Sequence, residues 1–179
     1  MKKFILTGIL IASFVALCGC SRGDSISSAM HPVIQSRLNV LDRQESRANT
    51  GIQKIIDALN AKDREAVKAA FSSSALDETG DIEDGIDYLF ALIPDEIQDC
   101  VEDKRITSTS RKDGHNKEDM KTWYIVSTES NTYAFFLLEN TIDNEQPENL
   151  GIYTLRACKE EDKAEHFSSW QKMKIAGIY

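Results

Sequence analysis

The hydrophobic positions of the chain follow two different periods, and the change falls near residue 94. Before it, apolar residues recur every three or four positions, which is typical of the buried face of a helix. After it, apolar residues tend to fall on every second position, which is typical of a β-strand with one buried face. The pattern therefore predicts helices over residues 33–93 and strands over residues 96–158.

Three helices are predicted in the first half. The first carries a long apolar stripe that suits packing on a sheet better than a coiled-coil seam, because alanine and glutamate interrupt it. The second begins at an N-cap, Asp63, and ends at Ser72; the third runs from its N-cap, Asp81, to about Ile93, before Pro94. The stripe of the first helix comprises Ile34, Leu38, Leu41, Glu45, Ala48, Ile52, Ile55 and Leu59.

Four strands are predicted in the second half, over residues 100–109, 122–128, 132–140 and 151–158. The connections between them are short, and short connections require antiparallel neighbours. The third strand is apolar on both faces, so we expect it to be central and covered on both sides. The predicted fold class is α+β, with three N-terminal helices packed on a curved antiparallel sheet of about four strands.

Residues 159–179 follow neither period clearly. The apolar spacing from Phe167 to Ile175 fits a short helix, and it fits an irregular segment equally well. Residues 178–179 suggest a last extended piece.

The amino terminus has the pattern of a secretory signal: a basic start, an apolar run over residues 4–17 and small residues at its end. This run is too short for a membrane-spanning helix, which needs about 20 residues. The sequence Leu17-Cys18-Gly19-Cys20 resembles the bacterial lipobox, which implies cleavage before Cys20 and diacylation of its sulfur. An ordinary signal peptide, cleaved without lipid attachment, is the alternative.

Two acyl chains would hold the mature chain stably on a membrane, whereas one chain binds only reversibly. The small polar residues that follow suit a flexible tether. The predicted organisation is a lipoprotein signal peptide over residues 1–19, a tether over residues 20–32 and one domain over residues 33–179. The lipid makes the membrane a partner and predicts an extracytoplasmic location, on the outer face of the cell membrane.

Charge argues against one class of partner. The chain has 21 basic and 29 acidic residues and a formal net charge of −8. Removal of residues 1–19 takes away Lys2 and Lys3, which lowers the net charge to −10. Because nucleic-acid binding depends on neutralising phosphates, this acidity predicts no nucleic-acid partner.

Two cysteines remain once Cys18 is removed and Cys20 carries lipid, namely Cys100 and Cys158. Each lies near the end of a predicted strand, and export from the cytoplasm permits a disulfide. The alternatives are a Cys100–Cys158 bridge and two separately buried thiols.

The stretch IIDALNAKDREAVKAAFSSSA, residues 55–75, resembles the opening of the nuclear-transport-factor-2-like superfamily, a cone-shaped α+β fold. Together with the lipobox and the strands TWYIVST, TYAFFLL and GIYTLR, it resembles a group of Gram-positive lipoproteins of uncharacterised function that have this fold. The superfamily includes isomerases, dehydratases, small-ligand binders and dimerisation modules. The resemblance therefore implies the fold and leaves the function open.

Candidate acid–base residues are few. His31, His115 and His166 lie in polar segments and are interpreted as solvated. Glu129 and Glu139 lie at the ends of predicted strands, where we expect exposure. A general base must be buried enough to have a tuned pKa, so no catalytic residue is predicted.

The acidic loop DNEQPEN offers Asp143, Glu145 and Glu148 as oxygen ligands of the kind that calcium prefers. It lacks the alternating ligands and the central glycine of an EF-hand, so a solvated loop is the favoured interpretation. No metal and no cofactor are predicted.

Aromatic residues cluster on three consecutive predicted strands and are the candidate lining of a pocket under the helices. The alternative is that they fill the core. Alternation places Trp123 and Tyr124 on opposite faces of their strand. The candidates are Trp123, Tyr124, Tyr133, Phe135 and Tyr153.

The functional prediction is a surface-tethered, non-enzymatic module that binds an unknown small molecule or an envelope protein. An enzyme of the same fold, an isomerase or hydrolase acting on a small extracellular substrate, is the alternative. A subunit of a larger envelope assembly and a homodimer formed through the sheet are further possibilities.

Overall fold

The structure is a computed structural model that describes residues 50–169 and 171–179. The predicted signal peptide, Cys20, the tether and the first part of the first predicted helix lie outside the described residues, and so does Trp170. In the part of the chain that the structure describes, no helix has both the length and the apolar character needed to cross a membrane.

Helices form the first part of the described chain. Residues 50–61 are helical and are called α1, and three further helices follow at α2 (Arg64–Ala69), α3 (Ser73–Glu78) and α4 (Ile82–Leu92). The prediction of helices before the strands is therefore confirmed over residues 50–92.

Local capping sets the boundaries of these helices. Asp63 and Asp81 cap α2 and α4 as predicted, because each carboxylate accepts a hydrogen bond from a backbone N–H of the first turn. The prediction that Ser72 ends the second helix missed α3. The Ser72 hydroxyl accepts a hydrogen bond from the Ala75 N–H, at 3.2 Å, and thereby starts a further helix.

Five strands follow in one curved sheet of order β1-β2-β3-β4-β5. The first four are antiparallel neighbours, as predicted, whereas β5 pairs with β4 in parallel. The strands are β1 (Ile97–Lys112), β2 (His115–Thr128), β3 (Thr132–Asp143), β4 (Gly151–Lys159) and β5 (Gly177–Ile178).

The β1–β2 hairpin is longer than predicted. The predicted strands 100–109 and 122–128 leave residues 110–121 as their connection, but the turn contains only Asp113 and Gly114, whose φ angles are 52° and 85°. A two-residue Asp-Gly turn with positive φ matches the right-handed twist of the flanking strands. Both strands therefore continue through residues that are polar on both faces.

The chain after β4 is called the C-terminal segment, residues 160–179. It contains a short helix, α5 (Lys163–His166), two single 3-10 turns and β5. Of the two alternatives, the irregular one is correct over the described residues 167–169 and 171–175. The segment joins the sheet where the Tyr179 N–H donates to the Leu155 carbonyl at 3.0 Å and the Ala157 N–H donates to the Tyr179 carbonyl at 2.8 Å.

The sheet has an inner face, which packs on the helices, and an outer face, which packs on the C-terminal segment. Since β3 is the middle strand and is buried on both faces, the prediction that it is central and doubly covered is confirmed. Inner-face residues Tyr124, Val126, Tyr133, Phe135 and Leu137 pack on Ile55, Leu59, Ile86 and Leu89 of the helices. Outer-face residues Phe136 and Leu138 pack with Trp123, Phe167 and Met173.

The predicted alternative of a disulfide is wrong in this fold. Cys100 on β1 pairs with Val126 and lies on the inner face, whereas Cys158 on β4 pairs with Ala134 and lies on the outer face. Three strand spacings separate them, about 14 Å, and a disulfide requires Cα atoms about 4.4–6.8 Å apart. Both thiols are free, and burial raises the pKa of each to about 11.

Candidate functional site

The five aromatic candidates do not form one pocket. Tyr124, Tyr133 and Phe135 are at most 2% exposed and fill the inner-face core between sheet and helices. Trp123 lies on the outer face, where its ring centroid is 4.9 Å from that of Phe136. For Tyr124, Tyr133 and Phe135, core filling is therefore the correct interpretation, whereas Trp123 is a partly buried member of the outer-face cluster.

Tyr153 is the exception, because it borders an open cleft. Its hydroxyl donates to Glu78 Oε2 at 2.5 Å, and this bond, together with partial burial, raises the pKa of Tyr153 to about 12. The cleft has a volume of about 440 Å³ and is lined by Tyr153, Leu138 and the three lysines Lys117, Lys121 and Lys174. We call it the lysine cleft.

Two of the three lysines of this cleft, Lys117 and Lys121, have carboxylate partners from the chain itself. Lys121 Nζ bonds to Asp119 and, at 3.1 Å, to Ser108 Oγ, while Lys117 Nζ lies 3.7 Å from Asp143 Oδ2. These contacts neutralise much of the positive charge that the cleft would offer to an anion. The lysine cleft is therefore a weak candidate for a ligand site.

A second open cleft lies between α4 and the C-terminal segment, and we call it the tail cleft. Its volume is about 470 Å³. One wall is the start of α4 and the residues before it, with Thr79, Asp81, Asp84, Gly85 and Tyr88. The opposite wall and the floor are Arg156, His166, Ile178 and Tyr179.

The tail cleft forms where α4 and β5 pack closely against each other. A Cβ on Gly85 would lie 2.5 Å from Ile178 Cβ, so only glycine lets α4 approach β5 this closely. Gly177 has φ of +108°, and a Cβ there would lie 2.0 Å from Thr79 Oγ1. The two glycines thus hold β5 against α4 and set the width of the cleft.

Two tyrosines, Tyr88 and Tyr179, line the tail cleft. The Tyr88 hydroxyl donates to the Ala157 carbonyl and the Tyr179 hydroxyl donates to the Ala176 carbonyl, each at 2.8 Å. Both side chains are more than a third exposed. With the hydroxyl protons engaged, the exposed parts of these residues are chiefly aromatic carbon, which suits an apolar or cationic group.

Arg156 supplies the positive charge of the tail cleft. Its guanidinium carbon lies 5.4 Å from the centroid of the Tyr179 ring, and its Nη1 donates to the Lys172 carbonyl at 2.8 Å. Within residues 50–169 and 171–179 it makes no ion pair, and its buried Nε has no hydrogen-bond partner. The ring and the carbonyl fix this cation in place without neutralising it.

Glu139 is the carboxylate that the sequence interpretation placed wrongly. It was expected at an exposed strand end, but β3 continues to Asp143 and Glu139 points at α1 from the inner face. A Cβ on Gly51 would lie 2.5 Å from Glu139 Oε2, so the glycine makes room for the carboxyl. Burial raises the pKa of Glu139 to about 7, although the Lys54 charge opposes this.

The remaining predicted residues stay at the surface. His115 and His166 are exposed, and His115 Nδ1 lies 3.4 Å from Glu145. In the acidic loop, Asp143 accepts hydrogen bonds from the backbone N–H groups of Glu145 and Gln146 and from Asn149, and these lower its pKa. In the described part of the chain, no group of three or more His, Cys, Asp or Glu residues is placed to hold a metal ion.

Sequence reasoning missed Tyr88, Arg156 and Tyr179 as neighbours. Arg156 falls on the polar side of an alternating strand, and Tyr88 on the exposed side of a helix, which are ordinary positions for such residues. The glycine in the middle of α4, Gly85, was the usable signal, because a mid-helix glycine often marks a close packing contact.

Comparison with known proteins gives one family. A comparison with curated proteins finds no match to the chain. Residues 54–160, which begin inside α1 and end just after β4, match the family model described as Domain of unknown function (DUF5104). This match covers more than half of the 179 residues. The chain therefore belongs to the DUF5104 family.

Proposed function

We propose that this protein is a lipid-anchored, extracytoplasmic domain that binds a small ligand in the tail cleft. The observation that carries the proposal is the composition of that cleft: two exposed tyrosine rings, an apolar residue and a cation that has no carboxylate partner in the described chain. Ligand sites commonly combine an apolar lining with a few placed polar groups.

The anchor is proposed on the pattern at the amino terminus. A basic start, an apolar run too short to span a membrane and the sequence Leu17-Cys18-Gly19-Cys20 support lipid attachment at Cys20. The nuclear-transport-factor-2-like identity of the domain is likewise proposed, with support from four helices followed by a curved antiparallel sheet.

The anchor is tested by Cys20→Ser. We expect the variant to leave the membrane fraction or to stay unprocessed and to lose label from a radioactive fatty acid. A Cys18→Ser variant, which keeps the proposed acceptor, should retain the label. Membrane attachment and labelling of Cys20→Ser at the level of the unchanged protein would contradict the anchor.

A ligand site is favoured over a protein-docking face by what remains exposed on the sheet. The C-terminal segment covers the apolar centre of the outer face, and on β1 the exposed large apolar side chains are Val101 and Ile106. A stable protein interface buries about 800 Å² on each partner, which two such side chains do not provide.

The ligand site is tested by nuclear magnetic resonance with a panel of small polar and aromatic metabolites. We expect shift changes that centre on Tyr88, Arg156 and Tyr179, and their loss in Arg156→Gln. Shifts centred on the lysine cleft, or no response to any compound, would contradict the proposed site.

Glu139 favours the enzyme alternative, because a half-buried carboxyl with a pKa of about 7 is suited to act as a general base. An enzyme using it would gain turnover as pH rises through 7, since the base must be ionised, and would lose turnover in Glu139→Gln. Turnover of ester and ketone substrate mixtures that is unaffected by Glu139→Gln would exclude this role.

A further inference from the structure

We infer that the ligand of the tail cleft is a zwitterion of the amino-acid or short-peptide class with an apolar side chain. This inference rests on the proposed ligand-binding function. In the arrangement we propose, the carboxylate of the ligand meets Arg156, its ammonium meets Asp84, and its apolar part lies on the tyrosine rings and Ile178.

The two walls of the cleft carry opposite charges that the structure keeps apart. Arg156 lies on the wall of β4 and the C-terminal segment, and Asp84 and Asp81 lie on the wall of α4. No ion pair joins Arg156 to either carboxylate. A ligand that enters between them therefore meets a cation on one side and carboxylates on the other, which favours a molecule that itself carries both charges.

The two carboxylates of this wall differ in the hydrogen bonds that they already make within the fold. Asp81 Oδ1 accepts the hydrogen bond of the Glu83 N–H at 3.0 Å and is held as the cap of α4. Asp84 is exposed, and within the described residues it makes neither a hydrogen bond nor an ion pair. Asp84 is therefore the carboxylate that is open to an ammonium group, with Asp81 adding charge behind it.

The cation is placed to recognise a carboxylate. An arginine has five N–H donors in a planar fork, which matches the two oxygens of a carboxylate. Of these donors, Nη1 bonds to the Lys172 carbonyl, and the guanidinium carbon lies 5.4 Å from the centroid of the Tyr179 ring, so both contacts restrain the group. Such an oriented guanidinium loses little freedom when it binds an anion.

The space between the charges is apolar and of suitable size. Ile178 is buried at the base of the cleft, and the rings of Tyr88 and Tyr179 are exposed beside it. The volume of about 470 Å³ lies within the range of small-molecule sites, roughly 300–1,000 Å³. A single apolar residue or a dipeptide fills such a space, and the tyrosine rings also attract an ammonium.

The test uses one dipeptide, leucyl-phenylalanine, in four forms: free, N-acetylated, amidated at its carboxyl group, and blocked at both ends. Binding to the full-length chain in detergent is measured by calorimetry and by nuclear magnetic resonance. We expect the free form to bind and each single block to weaken binding about tenfold or more, since a lost charged hydrogen bond changes affinity by that order.

Matched variants assign each charge to its partner. Arg156→Gln should weaken the free dipeptide about tenfold but leave the amidated form unchanged, and Asp84→Asn should weaken the free dipeptide but leave the N-acetylated form unchanged. Asp84 is exposed, so its variant tests the inference even where loss of Arg156 disturbs the C-terminal segment. Arg111→Gln and Asp113→Asn, which change equal charges at the tip of the β1–β2 hairpin, are the controls.

Several results would contradict the inference. Equal binding of free and doubly blocked dipeptide, no binding of any form at millimolar concentration, or shifts centred away from Arg156 and Asp84 would each overturn the zwitterion. A metabolite that is not a zwitterion and binds in the tail cleft where the dipeptide does not would overturn it as well but leave the proposed ligand-binding function standing. The failure of every compound at this cleft would remove both.

Discussion

The two faces of the sheet are built from neighbouring residues of one strand and are covered in different ways. Phe135 on the inner face and Phe136 on the outer face are both fully buried. Helices cover the first, whereas the second lies under the irregular C-terminal segment. Both the lysine cleft and the tail cleft have a wall from that segment, through Lys174 and Tyr179. The helices fill the Phe135 side of the sheet, whereas the irregular cover of the other side borders both of these recesses.

The largest expected effect on stability comes from truncating the two phenylalanines of this comparison, one at a time. Phe135→Ala should lower the free energy of unfolding by about 3–5 kcal/mol, because it leaves a cavity between sheet and helices that cannot collapse. Phe136→Ala should cost less, about 2–3 kcal/mol, because Phe167 and Met173, which cover it, belong to the irregular C-terminal segment, and we expect such a segment to relax into the cavity. Urea denaturation measures both.

Limited proteolysis provides the control for this pair. Phe136→Ala should expose the C-terminal segment to cleavage while residues of β1–β4 stay protected, whereas Phe135→Ala should expose the whole chain. Equal losses of stability with identical cleavage patterns would show that the two covers do not differ.

The next effect concerns the contact that joins α4 to the segment. Gly85→Ala places a methyl group 2.5 Å from Ile178 Cβ and 3.1 Å from its carbonyl oxygen. We expect a loss of about 1–3 kcal/mol from overpacking and a wider tail cleft. The double variant Gly85→Ala/Ile178→Gly should lose less than the sum of the single variants, because the closest clash is with the Ile178 Cβ, which glycine lacks. Strict additivity in urea denaturation would contradict this contact.

An effect of similar size concerns Glu139, the inner-face carboxyl group whose pKa is raised. The pKa of Glu139 is about 7 in the folded chain, and in the unfolded chain it has the usual value for glutamate, 4.5. The folded state then binds the proton more tightly, so its stabilising contribution is present below pH 4.5 and is lost as pH rises through 7. The free energy of unfolding should fall by about 2–3 kcal/mol between pH 5 and pH 8.

Glu139→Gln should remove most of this slope, and the exposed Glu148→Gln should keep it. Chemical denaturation at five pH values measures each slope. An unchanged slope in Glu139→Gln would show that other groups cause it.

The smallest effect lies at the margin of the outer face. Lys104 Nζ lies 5.2 Å from the centroid of the Trp123 ring, a cation–π contact. Lys104→Met should cost about 0.5 kcal/mol, and the fluorescence of Trp123 should change, since its ring loses a neighbouring charge. Trp170 also contributes to fluorescence, so the variant is compared in a Trp170→Phe background. Unchanged stability and emission would mean that the contact contributes nothing.

Much of the fold could be predicted because local signals decide it. Asp63 and Asp81 cap helices as their positions indicated, and the doubly apolar β3 is central. Two local signals were misread. The serines at 72–74 look like a terminator, yet Ser72 is a cap, and the Asp113–Gly114 pair marks a tight turn inside a stretch taken for a loop.

The candidate site could not be predicted, because its residues lie far apart along the chain. Tyr88 and Arg156 come together only when β4 pairs with β5 and Gly85 lies against Ile178. Glu139 was placed at an exposed strand end because its strand was predicted to stop at residue 140, whereas the Glu118 and Lys117 pairings extend it. Such long-range strand pairings do not change the hydrophobic alternation along a single strand, so they cannot be recognised from it.

The positions of the two thiols also bear on how the domain reaches its native state. Cys100 and Cys158 lie on opposite faces with two strands between them, and both resist ionisation. A thiol that stays protonated is a poor nucleophile for disulfide exchange. Folding of this domain therefore calls for no disulfide between Cys100 and Cys158, and recombinant production under reducing and under oxidising conditions should give the same packed sheet.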